Sequence, residues 1–297
     1  MSETLDLAKF ESQLNTTWLG RAPGWRNELW ETIGSTNTRA AELAAEGAPE
    51  GVVVLARHQS AGRGRLGRTW VSPVDAGLCM SFILRPKTPQ SQIPLLTIAT
   101  GIAVADAIRD VSGLDVGLKW VNDIIYDRRK VGGILAEMPA LTNATAAAKL
   151  LPQAVIVGIG INVNLKPEEI PEELVHKLDS LARIKGADVD PNSIAAAIAN
   201  QFEKTSALLD PSTAQSTAQS TAQSTAQSTV QQLTDRWRAL SITIGQTIVT
   251  ENSERKLEGK AVDITDSGAL IVELADGSRM TLHAGEISIR TADGGYC

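Results

Sequence analysis

The chain of 297 residues is poor in cysteine and histidine, and both shortages exclude something. Two cysteines, Cys79 and Cys297, cannot build a disulfide framework, so a reducing compartment is the expected setting. Three scattered histidines beside them give no cluster with metal-ligand spacing. No apolar stretch reaches the roughly 18 residues that a membrane span needs. The start, Met1-Ser2-Glu3-Thr4-Leu5-Asp6, lacks the basic opening and apolar run of a secretory signal, and a cytoplasmic protein is expected. A net charge of −6 argues against a broad nucleic-acid surface. No G-x-x-x-x-G-K-[ST] loop occurs, and no Ser-His-Asp or Cys-His arrangement is apparent. What remains is an ordinary globular composition, 43% hydrophobic and 21% charged, long enough for one large domain and a small one.

The stretch that stands out is a loop, His58-Gln59-Ser60-Ala61-Gly62-Arg63-Gly64-Arg65-Leu66-Gly67-Arg68-Thr69-Trp70, after the apolar run 51–56. Glycines let backbone N–H groups approach a ligand, and arginines supply planar forks for carboxylate or phosphate oxygens. The tryptophan at its end could offer a flat face to a base. In an acidic protein this local basic density reads as an anion site, and the alternative is a solvated turn. The loop matches G-x-G-x-x-G at Gly62, Gly64 and Gly67, but another apolar strand follows it and no helix opens there, which argues against a dinucleotide fingerprint.

Residues 1–30, with Trp18, Trp25 and Trp30, read as a packing arm that is too short for a winged helix. Ser35 or Thr36 is positioned to cap an alanine-rich helix over 39–45 that Gly47 stops, and either hydroxyl could face a ligand. Strands are expected over 76–84, 116–121, 124–126, 131–137 and 154–163, the last apolar on both faces and therefore central. Helices are expected over 93–108, 192–209 and 230–240. Residues 139–152 read as a surface loop. The tetrapeptide Ser-Thr-Ala-Gln repeats over 212–227, with an imperfect copy at 228–231; its polar composition cannot build a core, and it reads as an exposed insertion, partly helical or disordered. After Ser241 come short alternating strands over 242–250, 260–264, 269–274 and 279–283, with turns at Asp266-Ser267-Gly268 and Asp276-Gly277. They predict a small β-barrel over 241–297, leaving 1–240 as the larger domain.

Two features invite chemistry. Lys119, between Leu118 and Trp120, is either a lysine snorkelling at the sheet rim or a cation with a carboxylate or phosphate partner. Gly158 and Gly160 inside a central strand mark a bend or a place of close approach, and Gly132-Gly133 has the same two readings.

Taken in order, Gly62-Arg63-Gly64-Arg65-Leu66-Gly67-Arg68-Thr69-Trp70, Lys119-Trp120-Val121-Asn122-Asp123, Lys130-Val131-Gly132-Gly133-Ile134-Leu135 and Gly158-Ile159-Gly160-Ile161-Asn162-Val163 resemble the biotin–protein ligases. With Ser35-Thr36-Asn37 and the C-terminal strands, the resemblance spans about residues 30–290. It implies an α+β fold: a mixed β-sheet catalytic domain packed with helices, of the class II synthetase-like biotin/lipoate ligase type, followed by an SH3-like barrel. It implies activation of biotin with ATP to biotinyl-5′-AMP, then transfer to a lysine of a biotin carboxyl carrier protein, as in a biotin–[acetyl-CoA-carboxylase] ligase. Carried over by motif, Ser35, Thr36, Asn37 and Gln59 would bind the ureido ring. Arg63 and Lys119 would hold the carboxylate and phosphate. Arg65 would order the loop over the adenylate, and Arg68, Trp70 and Asn122 would meet the nucleotide, Trp70 near adenine. Asn162 would sit by the phosphates and Mg²⁺, with no dedicated protein cluster for the metal. Gly62, Gly133, Gly158 and Gly160 would line the pocket by backbone approach. Val121 departs from the proline usual in the family, and the tetrapeptide insertion is a second departure.

Two rivals share the resemblance. A lipoate or octanoate ligase or transferase has the same catalytic fold. A biotin-sensing repressor carries an N-terminal winged helix, for which the short arm leaves little room. No specific DNA binding and no membrane association are expected, and homodimerisation is left open.

Overall fold

The computed structural model describes residues 3–86, 92–140, 145, 148, 152–209, 222–251, 257–283 and 288–291. Its centre is a seven-stranded sheet of β1 (Glu28–Trp30), β2 (Val53–Ala56), β3 (Leu78–Leu84), β4 (Gly117–Lys119), β5 (Asp123–Tyr126), β6 (Arg129–Glu137) and β7 (Val155–Ile161). The spatial order is β1-β2-β3-β7-β6-β5-β4, so β7 lies in the middle. β1 runs parallel to β2, and every other neighbouring pair is antiparallel, which makes the sheet mixed.

Alternation along the strands decides what covers each face. Phe82 and Leu84 of β3 and Val155, Val157, Ile159 and Ile161 of β7 point into one large core. Against it pack α3 (Ile93–Ser112) and α5 (Pro191–Ser206), with Phe82 and Phe202 rings 4.7 Å apart. On the opposite face Val54, Ile83 and Ile156 pack under α2 (Thr36–Glu46) through Ala40, Leu43 and Ala44. Gly47, at φ 109°, ends that helix in the left-handed conformation. α2 covers only part of its face. Past its first turn lie the glycines of β6 and β7.

The N-terminal arm is stitched to α5. Phe10 of α1 (Leu7–Ser12) is fully buried, and Glu203 accepts from the Thr17, Trp18 and Leu19 amides and the Thr17 hydroxyl. Trp30 ends an edge strand, which the arm reading did not anticipate. Between β7 and α5 runs a short helix, α4 (Leu181–Lys185). α6 spans Ala222–Leu240, so the backbone of the repeat's last copies is helical; residues 212–221 lie outside the described residues. Most of 139–152 lies outside them too, as does Cys297.

A five-stranded antiparallel sheet follows: β8 (Thr247–Glu251), β9 (Glu258–Ile264), β10 (Leu270–Glu273), β11 (Arg279–Leu282) and β12 (Ser288–Thr291), ordered β11-β10-β9-β8-β12. The expected strand over 242–250 is shorter than its apolar pattern, because residues 242–246 turn onto the edge of β4. The Ile242 amide donates to the Leu118 carbonyl, the Thr243 hydroxyl accepts from the Trp120 amide, and Gly245 takes φ 90°. The Trp120 indole donates to the Gly268 carbonyl at 3.0 Å. The small sheet is thereby fastened to the strand that carries Lys119. The Trp120–Val121 peptide is cis, and Val121 is buried behind the sheet face.

Candidate active site

Strand register assembles the site. Lys119 of β4 stands opposite Asp123 of β5, Asp123 opposite Gly133 of β6, Gly133 opposite Gly160 of β7, and Gly160 opposite Cys79 of β3. Directly opposed residues share a face, so this row lies on the face that α2 leaves open. Two residues along, Leu135, Gly158 and Ser81 form a second row; two further on, Glu137, Ile156 and Ile83 form a third. A cavity of about 350 Å³ opens over the first two of these rows.

The glycines are there for side chains. A Cβ on Gly160 would stand 2.5 Å from Trp70 Cε2, and one on Gly133 would stand 3.6 Å from Trp70 Cζ3 and 3.1 Å from Lys130 Nζ. A Cβ on Gly158 would overlap Asn37 Oδ1. Trp70 and Asn37 thus lie across the strands where only hydrogen leaves room. Gly62 does not line the cavity. Its Cβ position is closed by the Trp70 carbonyl at 2.5 Å, and its own carbonyl accepts from the Trp70 amide. The Gly/Arg loop is therefore a narrow hairpin, with Gly64 donating to the Arg68 carbonyl and a tip at Leu66 and Gly67, both at positive φ. Gly133, Gly158 and Gly160 line the cavity, whereas at Gly62 the need is loop closure.

One end of the cavity is rich in hydrogen bonds and, with Arg63 paired to Glu137, carries no net charge. Ser35 occupies the N-cap position of α2, but its side chain makes no cap bond. The Gln59 carbonyl oxygen takes that role, accepting from the Thr36 amide at 2.8 Å and the Thr36 hydroxyl at 3.0 Å. Ser81 donates to Asn37 Oδ1 at 2.6 Å and lies 2.7 Å from Thr36 Oγ1. Asn37 in turn donates to Glu137 at 2.8 Å. Arg63 joins this end, its guanidinium gripping Glu137 at 2.9 and 3.1 Å.

The other end is cationic. Lys119 is 4% exposed, which excludes the rim-lysine reading. Lys130 pairs with Asp123 at 2.5 Å. Burial pushes the Asp123 carboxyl up, but the charges of Lys130, Lys119 and Arg290 outweigh it and hold the group below the usual carboxylate range. Arg65 donates to Asn122 Oδ1 at 3.2 Å, and Asn122 donates to the Ile134 carbonyl, which ties the loop to β6. Burial lowers the Arg65 pKa and Asp123 opposes that shift. Asn162 spends its amide nitrogen on the Asp179 carbonyl at 3.0 Å, leaving its oxygen as the atom that can accept or coordinate. Arg68 and Lys177 also line the cavity.

Ser35, Thr36, Asn37, Gln59, Arg63, Arg65, Arg68, Trp70, Lys119, Asn122, Gly133, Gly158, Gly160 and Asn162 all line one cavity. Sequence reasoning quoted Asp123 and Lys130 inside motifs without giving them a role. It missed Ser81, Glu137 and Arg290: Ser81 and Glu137 lie in ordinary strand sequence, and Arg290 comes from β12, which carries no motif. Among the described residues no three His, Cys, Asp or Glu side chains converge, and no helix is long and apolar enough to cross a membrane.

Comparison with known proteins gives the family and the fold. Residues 29–162 match the biotin/lipoate A/B protein ligase family, and 243–290 match the biotin protein ligase C-terminal domain. The chain is 34% identical over 247 residues to the bifunctional ligase/repressor BirA of Bacillus subtilis, covering 83% of this chain and 69% of that protein. It is 30% identical over 284 residues to the biotin–[acetyl-CoA-carboxylase] ligase of Mycobacterium tuberculosis, covering 93% and 94%. Among solved structures, the biotin protein ligase from Aquifex aeolicus in complex with biotin and ATP superposes with a TM-score of 0.70 at 26% identity, covering 90% of this chain and all of that one.

Proposed function

The chain belongs to the biotin/lipoate A/B protein ligase family, and from that premise we propose how its cavity works. The enzyme is of the biotin–[acetyl-CoA-carboxylase] ligase type: it activates biotin with ATP and passes the biotinyl group to a lysine of a biotin carboxyl carrier protein. In the first step a biotin carboxylate oxygen bonds to the α-phosphorus while the bond to the β-phosphate bridge breaks and pyrophosphate leaves. In the second, the neutral lysine amine bonds to the acyl carbon, the bond to the phosphate oxygen breaks, and AMP and a proton are released. Neither step needs a covalent enzyme intermediate. The work is to bring two anions together and to stabilise charge that builds between them.

The two ends of the cavity divide that work. Ser35, Thr36, Asn37 and Gln59, backed by Ser81, present donors and acceptors of fixed orientation to the neutral ureido ring. Lys119, buried in the same row as Asp123, neutralises the carboxylate and α-phosphate. Arg63, expected to share that task, is drawn instead to the Asn37 end by Glu137, and we assign it to the ring. Arg65, anchored on Asn122, holds the loop over the adenylate, and Arg68 meets the phosphates. Trp70, expected near adenine, lies across Gly133 and Gly160 and forms the floor between the two ends. Asn162 Oδ1 and the Asp123 carboxylate are the oxygens at the phosphate end, a donor set that suits Mg²⁺, which keeps waters and substrate oxygens around it. Mg²⁺ bound with ATP would offset phosphate charge.

Within the described residues, the arm that precedes the sheet is spent on α1 and β1, which are built into the catalytic unit. We propose a cytoplasmic setting, which the low cysteine content supports. Homodimerisation is a matter for light scattering.

The observation that carries this reading is one sheet face with a hydrogen-bonding end of no net charge and a cationic end over a shared floor. Incubation with biotin, Mg-ATP and a carrier domain, read by intact mass, tests it. A carrier heavier by one biotinyl group is expected. An unchanged carrier, or one modified only when lipoate replaces biotin, overturns it.

A further inference from the structure

Glu137 ends β6, four residues beyond Gly133 and so about 13 Å along the strand from the Lys119–Asp123 row. Its carboxylate accepts three N–H groups: Arg63 Nη1 at 3.1 Å, Arg63 Nη2 at 2.9 Å and Asn37 Nδ2 at 2.8 Å. We propose that Glu137 is a positioning residue for recognition of the biotin ring, acting through both Arg63 and Asn37. The inference rests on the ligase reading above and deepens it.

Asn37 could in principle sit either way round, since its amide has a donor end and an acceptor end. The Glu137 carboxylate, which only accepts, fixes the choice, and the Leu135 carbonyl at 3.2 Å agrees with it. Asn37 Oδ1 must then face Ser81 and accept its hydroxyl proton. With the Ser81 proton so committed, the Thr36 hydroxyl holds the one proton left to share between Ser81 Oγ at 2.7 Å and Gln59 Oε1 at 3.0 Å, while the Thr36 amide donates to Gln59. One carboxylate thus sets the donor and acceptor pattern along a chain of side chains that ends in the ring site.

The Arg63 arm has a different signature. The two side chains are 47% and 31% exposed. An ion pair this open adds little to stability. Its two-pronged geometry nevertheless fixes where a long, mobile guanidinium stands. The pair therefore places Arg63 without holding the fold, and it places Arg63 away from the cationic row.

Glu137→Gln keeps the size but not the pattern. The amide has one accepting oxygen and must turn an N–H toward a group that also donates. Glu137→Ala removes the contact altogether and guards against a compensating rearrangement in the Gln variant. The test is isothermal titration of biotin into the full chain without ATP, beside the rate of pyrophosphate release at saturating biotin and thermal melts. The expected result is a biotin Kd raised about fivefold or more in both variants, with that rate within about threefold of the parent. A Kd raised by less than that overturns the proposal. A weaker Kd that comes with a collapsed rate and a lowered melting temperature also overturns it, since a merely structural role would do that. If the parent chain itself binds no biotin, the ligase reading falls first and this inference falls with it.

Discussion

Consider a single methyl added at Gly158. Gly158→Ala puts a Cβ onto Asn37 Oδ1, 2.8 Å from Cγ and 3.0 Å from Nδ2, where ordinary contact begins near 3.4 Å. The amide must withdraw by about 0.6 Å at Cγ and further at its oxygen. That stretches the 2.6 Å bond from Ser81 and the 2.8 Å bond to Glu137 together. A neutral hydrogen bond contributes about 1 kcal/mol and one to a charged group about 2 kcal/mol. Some of that loss appears as stability, with overpacking adding about 1 kcal/mol or more. What remains disorders the ring site, and about 2 kcal/mol lost there weakens biotin binding roughly thirtyfold. The cationic row lies two residues away along β7, about 7 Å, so ATP should be less affected. Titration calorimetry with biotin, alongside the KM for ATP, reads both effects. Biotin affinity within about threefold of the parent would refute the reasoning, because it would mean that Asn37 can move without cost.

Three further outcomes follow from the same geometry. Lys119→Ala should slow adenylate formation about a hundredfold or more, as loss of a preorganised charge does; near-normal pyrophosphate release would defeat the assignment. Arg65→Gly cuts the loop from Asn122 and should release biotinyl-5′-AMP into solution, so unchanged retention of radiolabelled intermediate would count against a loop that shields the anhydride. Glu203→Ala frees the N-terminal arm and should cost about 2 kcal/mol in urea melts at neutral pH. Burial pushes the Glu203 carboxyl up, but donors from Thr17, Leu19 and Trp18 more than offset it, and its pKa lies below the usual value. Its contribution is thus present above the unfolded carboxylate pKa and is lost as pH falls through the folded one, so the gap between parent and variant should narrow in acid. A gap that stays constant with pH would contradict this.

The elements that were legible in sequence are those whose pattern is local. β7 shows itself as an apolar run broken by two glycines, and α3 as a long apolar helix entered through Pro94. The four motifs carry most of the cavity lining, because they sit where strands end or backbones crowd. β1 and β12 were not legible. Glu28-Leu29-Trp30 is too short to alternate, and it becomes a strand only because β2 offers its edge. The run 242–250 alternates like a strand, yet its first half is claimed by hydrogen bonds to Leu118 and Trp120. Ser81 and Glu137 were invisible for a related reason. Each becomes functional through register with Gly158 or Ile156, and register is a long-range property that no window of sequence contains. Gly62 shows the converse: a glycine in the right motif whose requirement is the Trp70 carbonyl behind it.

The account stands or falls on the division of one cavity into a ring end and a phosphate end. A crystal structure with a non-hydrolysable biotinyl-5′-AMP analogue measures that division directly. The ring is predicted beside Thr36, Asn37 and Gln59, over Gly158, with the acyl phosphate between Lys119 and Asn162. An analogue lying the other way round, with its phosphate against Glu137 and Asn37, would contradict it.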